Sequence, residues 1–268
     1  MAAGVAVGLG IGIDVGGTWI KGAAVDLATG ALVSGVRRVA TPAGGTVAGV
    51  ADALDRLVGE LDATVGSAVA GPAGLPVGVA IPSIVHRGVA RSAANMDSSW
   101  IGLDVRSCLE SRLGRPVTVV NDADAAGMAE ARCGAGQDRT GVVLVLTLGT
   151  GIGSALVVDG RLVPNLELGH LEVDGRKAES KASAVARESE GLDWAAYAAR
   201  LQRYLSHVEF LFSPDLIILG GGISACSQEY LPRLSLRTPV VPAALENTAG
   251  VVGAALYAAA GQGALLPA

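Results

Sequence analysis

Two short segments rich in glycine and small polar residues have the composition of phosphate-binding turns. The first, IDVGGT, places Asp14 at the end of an apolar run and follows it with Gly16, Gly17 and Thr18. Glycines let backbone N–H groups approach an anion, and a carboxylate at such a turn can hold a hydrated Mg²⁺ that bridges phosphate oxygens. Taken alone, the segment fits an ordinary hairpin turn about as well.

The second segment, LTLGTGIG, repeats the pattern of glycine and threonine in the other half of the chain. When the two segments are aligned on their glycines, Gly16 falls on Gly149 and Asp26 falls on Asp159, both at an offset of 133 residues. That offset is almost half of the 268 residues, so the sequence predicts two similar halves, each opening with a β-hairpin. Neither segment is a Walker loop or a dinucleotide fingerprint.

The segment VVNDADAAG places Asn121 and Asp122 where an apolar strand meets a helix. Asn and Asp at this position are most often helix N-caps, and Asp124 could fill the same role. A second hypothesis is catalytic. The start of a helix favours an ionised carboxylate, which would make Asp122 ready to accept a hydroxyl proton at neutral pH.

The segment NLELGHLEV carries Glu167, His170 and Glu172 in a polar stretch after a strand. A structural, hydrogen-bonded histidine is one interpretation. A metal site is disfavoured because no cysteine or second histidine stands near in sequence. Carboxylates and an imidazole can instead hold the vicinal hydroxyls of a sugar by directional hydrogen bonds.

Three consecutive glycines, Gly220, Gly221 and Gly222, follow the apolar run DLIIL. Residues without a Cβ allow close approach of a flat ligand such as adenine. A plain turn between a strand and a helix explains the run equally well.

Between these motifs the apolar pattern alternates between strand and helix, which predicts an α/β fold with two lobes. Continuous short apolar runs indicate buried strands, whereas helical periodicity or alanine-rich composition indicates helices. The predicted strands lie at 76–82, at 117–122 and within 215–224, and the predicted helices lie at 47–61, 122–132, 192–212 and 249–260.

Composition argues against several classes of protein. The net charge is −5 and the 20 basic residues are scattered, so nucleic acid is not the expected partner. Three widely spaced cysteines, Cys108, Cys133 and Cys226, indicate a reducing compartment and form no zinc-site signature. The N-terminus lacks a basic region before its apolar residues, and the two long uncharged stretches at 140–158 and 247–268 fit buried core elements. The sequence therefore predicts a cytoplasmic protein without a membrane partner.

In this order and spacing, the segments IGIDVGGTWIKG, VNDADAAG, LTLGTGIG, ELGH and LGGGIS resemble the ROK-type sugar kinases of the actin/hexokinase superfamily. RSAANMDSSWIG, GRLVPNLELGHLEV and RTPVVPAALENTAGVVGAA resemble segments of the polyphosphate/ATP-dependent glucokinases of actinobacteria, which include glucomannokinases. The resemblance covers about residues 9–258. It implies a duplicated, ribonuclease H-like fold with a cleft between two α/β lobes. The lobes would comprise residues 1–121, with a C-terminal helix at about 249–268 packed back on them, and residues 122–248.

The resemblance also implies a role for each motif. Asp122 would be the catalytic base, and Asp14 would hold Mg²⁺ through water. ROK kinases carry a further sugar-binding glutamate after a zinc-binding cysteine cluster; this cluster is missing here, so no structural zinc is expected and Glu179 in AESKAS becomes the candidate. The implied sugar ligands are Asn95, Asn121, Asp122, Glu167, His170 and Glu179. The implied donor-binding residues are Asp14, Gly16, Gly17, Thr18, Lys21, Thr147, Gly149, Thr150, Gly151, Gly220, Gly221 and Gly222.

The activity that the resemblance implies is phosphorylation of glucose, and of mannose as a second substrate, at the 6-hydroxyl with ATP or inorganic polyphosphate. The alternative within this family is a kinase that uses only ATP, acting on another hexose or an acetylated hexosamine. ROK repressors carry an N-terminal helix-turn-helix, for which the 13 residues before Asp14 leave no room. A catalytically silent scaffold is disfavoured by the intact Asp14, Asp122 and His170. The residues leave open whether the protein is a monomer or a homodimer.

Overall fold

A computed structural model describes residues 8–66, 74–94 and 96–261. The chain forms two compact units. The first contains the residues up to Ala126 and those from Gly250 onward, and the second is Gly127–Ala249. Asn95, one of the expected sugar ligands, lies outside the described residues.

The described part of the chain contains strands and helices in alternation. The strands are β1 Leu9–Val15, β2 Trp19–Asp26, β3 Arg37–Ala40, β4 Val77–Ile81, β5 Val85–His86, β6 Val89–Ala90, β7 Val117–Asn121, β8 Val142–Leu148, β9 Ile152–Val158, β10 Arg161–Leu166, β11 Glu172–Val173, β12 Arg176–Lys177, β13 Leu216–Gly220 and β14 Val240–Pro242. The helices are α1 Val47–Val65, α2 Val105–Leu113, α3 Asp122–Cys133, α4 Glu179–Ala182, α5 Ala184–Ser189, α6 Trp194–Phe212, α7 Ser227–Tyr230 and α8 Ala249–Gly261.

The first unit is built on a five-stranded sheet with the order β3-β2-β1-β4-β7. The strands β1, β2 and β3 are antiparallel neighbours, and β4 and β7 continue the sheet in parallel with β1. Helix α1 begins at the N-cap Thr46, whose side chain accepts a hydrogen bond from the Gly49 amide. Its predicted apolar face is buried in the core of this unit, and that face is formed by Val50, Leu54, Leu57, Val58 and Leu61.

The backbone of helix α8 packs directly against the backbones of β1 and β4 in this first sheet. A Cβ atom at Gly12 in β1 would overlap the carbonyl oxygen of Val251, and one at Gly78 in β4 would overlap that of Ala254. Close approach of helix and strand therefore requires glycine at both strand positions. The helix is apolar on all sides, as expected for an element buried in a core.

The second unit repeats the architecture of the first, with a five-stranded sheet in the order β10-β9-β8-β13-β14. The strands β8, β9 and β10 are antiparallel neighbours, and β13 and β14 run parallel to β8. The bounds of β8 are those of β1 shifted by 133 residues, which is the offset of the sequence repeat. The predicted α/β fold with duplicated halves is thus confirmed.

The two hairpins differ in register by one residue. In the first, Leu9 pairs with Asp26; in the second, Val142 pairs with Val158 rather than Asp159. In the second hairpin, Leu148 pairs with Ile152, so the turn has three unpaired residues. In the first, Val15 pairs with Ile20, so the turn has four, of which Trp19 is the last. The alignment on glycines could not show this shift, because it matches positions along the chain and not the pairing between strands.

The core of the second unit forms around helix α6, which buries Leu201, Leu205 and Val208. Asp193 caps this helix by accepting a hydrogen bond from the Ala196 amide. Among the described residues, no helix is both long enough and apolar enough to cross a lipid bilayer.

Candidate functional site

The first turn carries a charged pair at the end of β1. Asp14 and Lys21 face each other in the β1–β2 ladder, with the Lys21 Nζ atom 3.7 Å from the Asp14 Oδ2 atom. Burial raises the pKa of the Asp14 carboxyl, and the Lys21 ammonium lowers it in part. The first turn of helix α8 lies against the same carboxylate, because a Cβ atom at Gly250 would be 3.0 Å from Asp14 Cγ.

The loop that follows Asp14 is held by a residue that the sequence did not single out. Thr41 donates from its hydroxyl to the Gly16 carbonyl at 2.6 Å, and its amide donates to the Thr18 carbonyl at 3.0 Å. Gly17 and Thr18, which follow in the same loop, are exposed. Nothing in the sequence around Thr41 marks this role, since the residue lies in a separate loop after β3.

Asn121 and Asp122 stand together where β7 ends and α3 begins. Asn121 is the helix cap: its Oδ1 atom accepts a hydrogen bond from the Asp124 amide at 3.0 Å, and its Nδ2 atom donates to the Ser83 carbonyl at 3.1 Å. Asp122 is half-buried, and its Oδ1 atom accepts from the Ala123 amide at 2.9 Å. Capping by Asn121 leaves the Asp122 carboxylate outside the cap bond, at the positive end of the helix.

The second turn is closed by a hydrogen bond from the Gly149 amide to the Gly151 carbonyl at 3.0 Å. Thr147 precedes it in β8, opposite Gly153, and Thr150 lies at the exposed tip between the two glycines. The amide of Val185, in helix α5, donates to the Gly149 carbonyl and fixes the turn to the short helices of this unit.

Three of the expected sugar ligands come together in the second unit. The His170 Nε2 atom lies 3.2 Å from the Glu179 Oε1 atom, and both side chains are partly exposed. Burial raises the pKa of Glu167, His170 lowers it, and the nearby Glu179 carboxylate raises it further. Sequence reasoning placed Glu179 only by resemblance, and the structure brings it to the same cluster.

The same glutamate also touches the second turn. The Ile152 amide donates to the Glu179 Oε2 atom at 3.4 Å, and a Cβ atom at Gly151 would be only 2.5 Å from that oxygen. Gly151 therefore makes room for the Glu179 carboxylate. A carboxylate expected to bind sugar hydroxyls and a turn expected to bind phosphates thus adjoin within one unit.

The ELGH segment is positioned by Ser154, a second residue that the sequence did not single out. Its buried hydroxyl donates to the Leu166 carbonyl at 2.7 Å and accepts from the Leu168 amide at 2.9 Å. Gly169 packs on the Ile152 backbone so closely that a Cβ atom would overlap its carbonyl oxygen. A serine within the apolar strand IGSALVV could have indicated this role, because a buried hydroxyl needs hydrogen-bond partners.

The three glycines at the end of β13 are not equivalent. Gly220 pairs with Thr147 in the sheet. Gly221 has a φ of 84°, and a Cβ atom there would overlap the carbonyl oxygen of Leu148. A Cβ atom at Gly222 would meet nothing within 4 Å. The turn therefore requires glycine at position 221, whereas Gly222 is exposed and has space for a side chain.

Comparison with known proteins identifies the family. A model described as the ROK family matches residues 10–185. The chain belongs to the ROK family. The motif resemblance is thereby confirmed.

Among ROK relatives, a polyphosphate glucokinase from Mycobacterium tuberculosis is 46% identical over 252 residues, which is 94% of this chain and 91% of the relative. The crystal structure of an inorganic polyphosphate/ATP-glucomannokinase from Arthrobacter sp. strain KM superposes with a TM-score of 0.87 at 59% identity, covering 95% of this chain and 99% of the other. A ROK glucokinase from Streptomyces griseus, solved with glucose and AMPPNP, superposes with a TM-score of 0.76 at 26% identity, covering 92% and 98%.

The sequence predicted a Mg²⁺ ion near Asp14 and no structural zinc for this ROK protein. Within the described ranges, no group of three or more His, Cys, Asp or Glu side chains is arranged to hold a metal ion. Asp14 nevertheless fits Mg²⁺ held through water, because Mg²⁺ keeps several waters and commonly uses one or two carboxylates together with substrate phosphates. The absence of structural zinc stays a prediction.

Proposed function

We propose that this ROK protein transfers the terminal phosphoryl group of inorganic polyphosphate or ATP to the 6-hydroxyl of glucose. The observation that carries the proposal is the contact between Glu179 and Gly151. It joins a cluster suited to sugar hydroxyls to a turn suited to phosphates. The polyphosphate glucokinase and glucomannokinase relatives support the choice of sugar and of donor.

The sugar is held by hydrogen bonds to its hydroxyls from Glu167, His170 and Glu179. His170 donates or accepts according to its partner, and its ring is oriented by Glu179 at 3.2 Å. Because burial raises the pKa of Glu167, that side chain retains a proton to higher pH than an exposed glutamate does. Asn121 and the undescribed Asn95 complete the proposed set of ligands.

Each of the two glycine turns carries groups that suit the phosphates of the donor. The amides of the exposed residues Gly17, Thr18 and Thr150 donate to phosphate oxygens, and Lys21 contributes positive charge beside Asp14. Gly222 has no side chain and faces open space, so the nucleoside can approach its backbone closely when ATP is the donor. When Mg²⁺ is bound, with Asp14 as its proposed outer ligand, it neutralises charge on the phosphate oxygens.

Asp122 is the proposed general base. The sugar's 6-oxygen attacks the terminal phosphorus, the bond from phosphorus to the bridging oxygen of the donor breaks, and the hydroxyl proton passes to the Asp122 carboxylate. The position at the start of α3 favours the ionised carboxylate before the reaction. Positioning and charge stabilisation account for most of the catalysis, since phosphoryl transfer proceeds through a loose transition state.

Three finer points belong to the proposal. Mannose is included as a second substrate because the Arthrobacter relative is a glucomannokinase. We place the enzyme in the cytoplasm, since Cys108, Cys133 and Cys226 form no disulfide among the described residues. A monomer and a homodimer are equally compatible with the activity.

A coupled assay for sugar phosphate tests the proposal. Purified protein is given glucose, mannose or N-acetylmannosamine, each with ATP or with polyphosphate, at saturating Mg²⁺. We expect turnover of glucose with both donors. Turnover with ATP alone would favour the ATP-only kinase, turnover of the acetylated sugar alone would reassign the substrate, and no turnover of any sugar would contradict the proposal.

A further inference from the structure

A cavity of about 340 Å³ lies in the second unit beside helix α4, the helix that begins at Glu179. It is roughly ten times the 30 Å³ that one water molecule occupies in the liquid, so it has room for a small organic or inorganic ion. Its wall is formed by the segment 173–178, by α4 and by α6. The wall residues used below are Asp174, Arg176, Lys181, Arg200, Arg203 and Tyr204.

The wall is strongly positive. Four of the lining side chains are cationic and one, Asp174, is acidic, which leaves a formal excess of three positive charges. Glu190, outside the lining, binds two of these cations: its oxygens lie 2.9 Å from Lys181 Nζ and 2.6 Å from Arg200 Nη2. Arg200 and Lys181 lower the pKa of Glu190 to about 2. Counting Glu190 still leaves an excess of two positive charges in a chain whose net charge is −5.

Two of the residues that line the cavity carry a buried hydrogen-bond donor without an acceptor among the described residues. The hydroxyl of Tyr204 and the Nη1 atom of Arg200 are buried, and neither makes a hydrogen bond with any described residue. Tyr204 is only 1% exposed. Buried polar atoms nearly always have a partner, so two orphaned donors in one cationic wall indicate a ligand that supplies acceptor oxygens.

We propose that this cavity binds a small phosphate-class anion, either inorganic or carried on a small organic molecule. Arginine guanidinium groups match the oxygens of a phosphoryl group with paired N–H donors, and Tyr204 supplies a further donor. The site is separate from the glycine turns that bind the phosphoryl donor. It is built from residues that the sugar and donor sites do not use.

The cavity is also linked to the sugar cluster. Ala178, Lys181 and Ala182 line it, and they flank or belong to the helix that carries Glu179. An anion bound here would contact Lys181 and so restrict the motion of α4. This would stabilise the position of Glu179 beside His170. This coupling to sugar affinity rests on the proposed function, whereas binding of the anion does not.

Isothermal titration of the full chain with orthophosphate, pyrophosphate and glucose 6-phosphate tests the site and separates the inorganic from the organic source. We expect at least one of these to bind, and Arg203→Gln to weaken its affinity about tenfold or more. Tyr204→Phe keeps the ring and removes the orphaned hydroxyl, so affinity should fall about 2- to 10-fold without loss of thermal stability. Arg203 forms an ion pair with Asp174. The matched control is Arg237→Gln, since Arg237 also pairs with a carboxylate, Glu209 at 3.6 Å, but does not line the cavity.

Each result decides for or against the proposal. Weaker binding in Arg203→Gln and Tyr204→Phe, with control-like binding in Arg237→Gln and an unchanged KM for the phosphoryl donor, supports it. Binding of none of the three anions would overturn it, as would equal affinities in Arg203→Gln and Arg237→Gln. A loss of affinity matched by an equal rise in donor KM would place the anion at the donor turns and overturn it as well.

Discussion

The hairpin of β1 and β2 and the hairpin of β8 and β9 hold equivalent places in two sheets of the same strand order, yet they carry different chemistry. The first ends in a carboxylate and an ammonium, Asp14 and Lys21, that face each other across the ladder. The second has Thr147 opposite Gly153 and receives its carboxylate, Glu179, from a separate helix. The two copies of the hairpin therefore keep the same place in their sheets while their turns carry different side chains.

The largest expected difference between the two turns concerns Asp14 and its counterpart Thr147. Asp14→Asn should lower kcat about 100-fold, because it removes the carboxylate proposed to hold Mg²⁺ near the phosphates. Thr147→Val removes one neutral hydroxyl and should lower kcat about tenfold or less. Steady-state rates over a range of Mg²⁺ concentrations check both, and only Asp14→Asn should need more Mg²⁺ for half-maximal rate. A larger loss in Thr147→Val would assign the metal to the other turn.

The glycines after β13 give a matched pair for stability in the second unit. Gly221→Ala should destabilise the fold by about 3 kcal/mol, since Gly221 has a positive φ and its Cβ would overlap the Leu148 carbonyl. Gly222→Ala should change stability by less than about 0.5 kcal/mol, because its Cβ meets open space. Urea denaturation of both variants measures the difference. Equal stabilities would show that the turn after β13 relaxes freely.

The second turn itself offers a matched pair for sugar binding. Gly151→Ala should raise the KM for glucose about tenfold. The added Cβ would lie only 2.5 Å from the Glu179 Oε2 atom, so the carboxylate would have to move away. Gly149→Ala in the same turn meets nothing within 4 Å and should change that KM less than about twofold. Kinetics with varied glucose at saturating donor separate them. An unchanged KM in Gly151→Ala would remove Glu179 from the sugar site.

The strand starts, the main helices and the repeat could be predicted from the sequence, because apolar periodicity and glycine spacing are local signals. Helix α1 shows this: its five predicted core residues are all buried. The one-residue shift between the hairpins could not be predicted, since the register of a hairpin also depends on the type and length of its turn, and the two turns share the same glycine spacing.

The candidate site was predictable only where its residues stand in a motif. His170 and Glu167 share one segment, whereas Glu179 is nine residues away from His170 and reaches it through the fold. Thr41 holds the first glycine turn and Ser154 holds the ELGH segment, although neither residue was singled out by a motif. Their partners are backbone groups distant in sequence, so a local pattern does not identify the partner even where it marks the residue, as for the serine in the apolar strand IGSALVV.

The smallest expected effect contrasts two glutamates of the second unit whose pKa values shift in opposite directions. Burial raises the pKa of Glu167, so the stability tied to its protonated form is present below about pH 4.5 and is lost as the pH rises through the raised value. Glu167→Gln should therefore be more stable than the wild type at pH 7.5, with the gap closing as the pH falls. Arg200 and Lys181 lower the pKa of Glu190 to about 2, so Glu190→Gln should be less stable at pH 7.5, with its gap closing between about pH 4.5 and pH 2. Thermal melts across this range check both signs, and gaps of the same sign would refute the assignment.

The central claim of the proposed function is that Asp122 accepts the proton of the sugar hydroxyl during phosphoryl transfer. The most direct measurement is the initial rate of glucose 6-phosphate formation by Asp122→Asn at saturating glucose, polyphosphate and Mg²⁺, with calorimetric binding of glucose as the control for folding. We predict a rate about 10²- to 10⁴-fold below the wild type, with glucose still bound, because a positioned general base contributes an acceleration of that size. A rate within about fivefold of the wild type would contradict the account and leave the proton to another group.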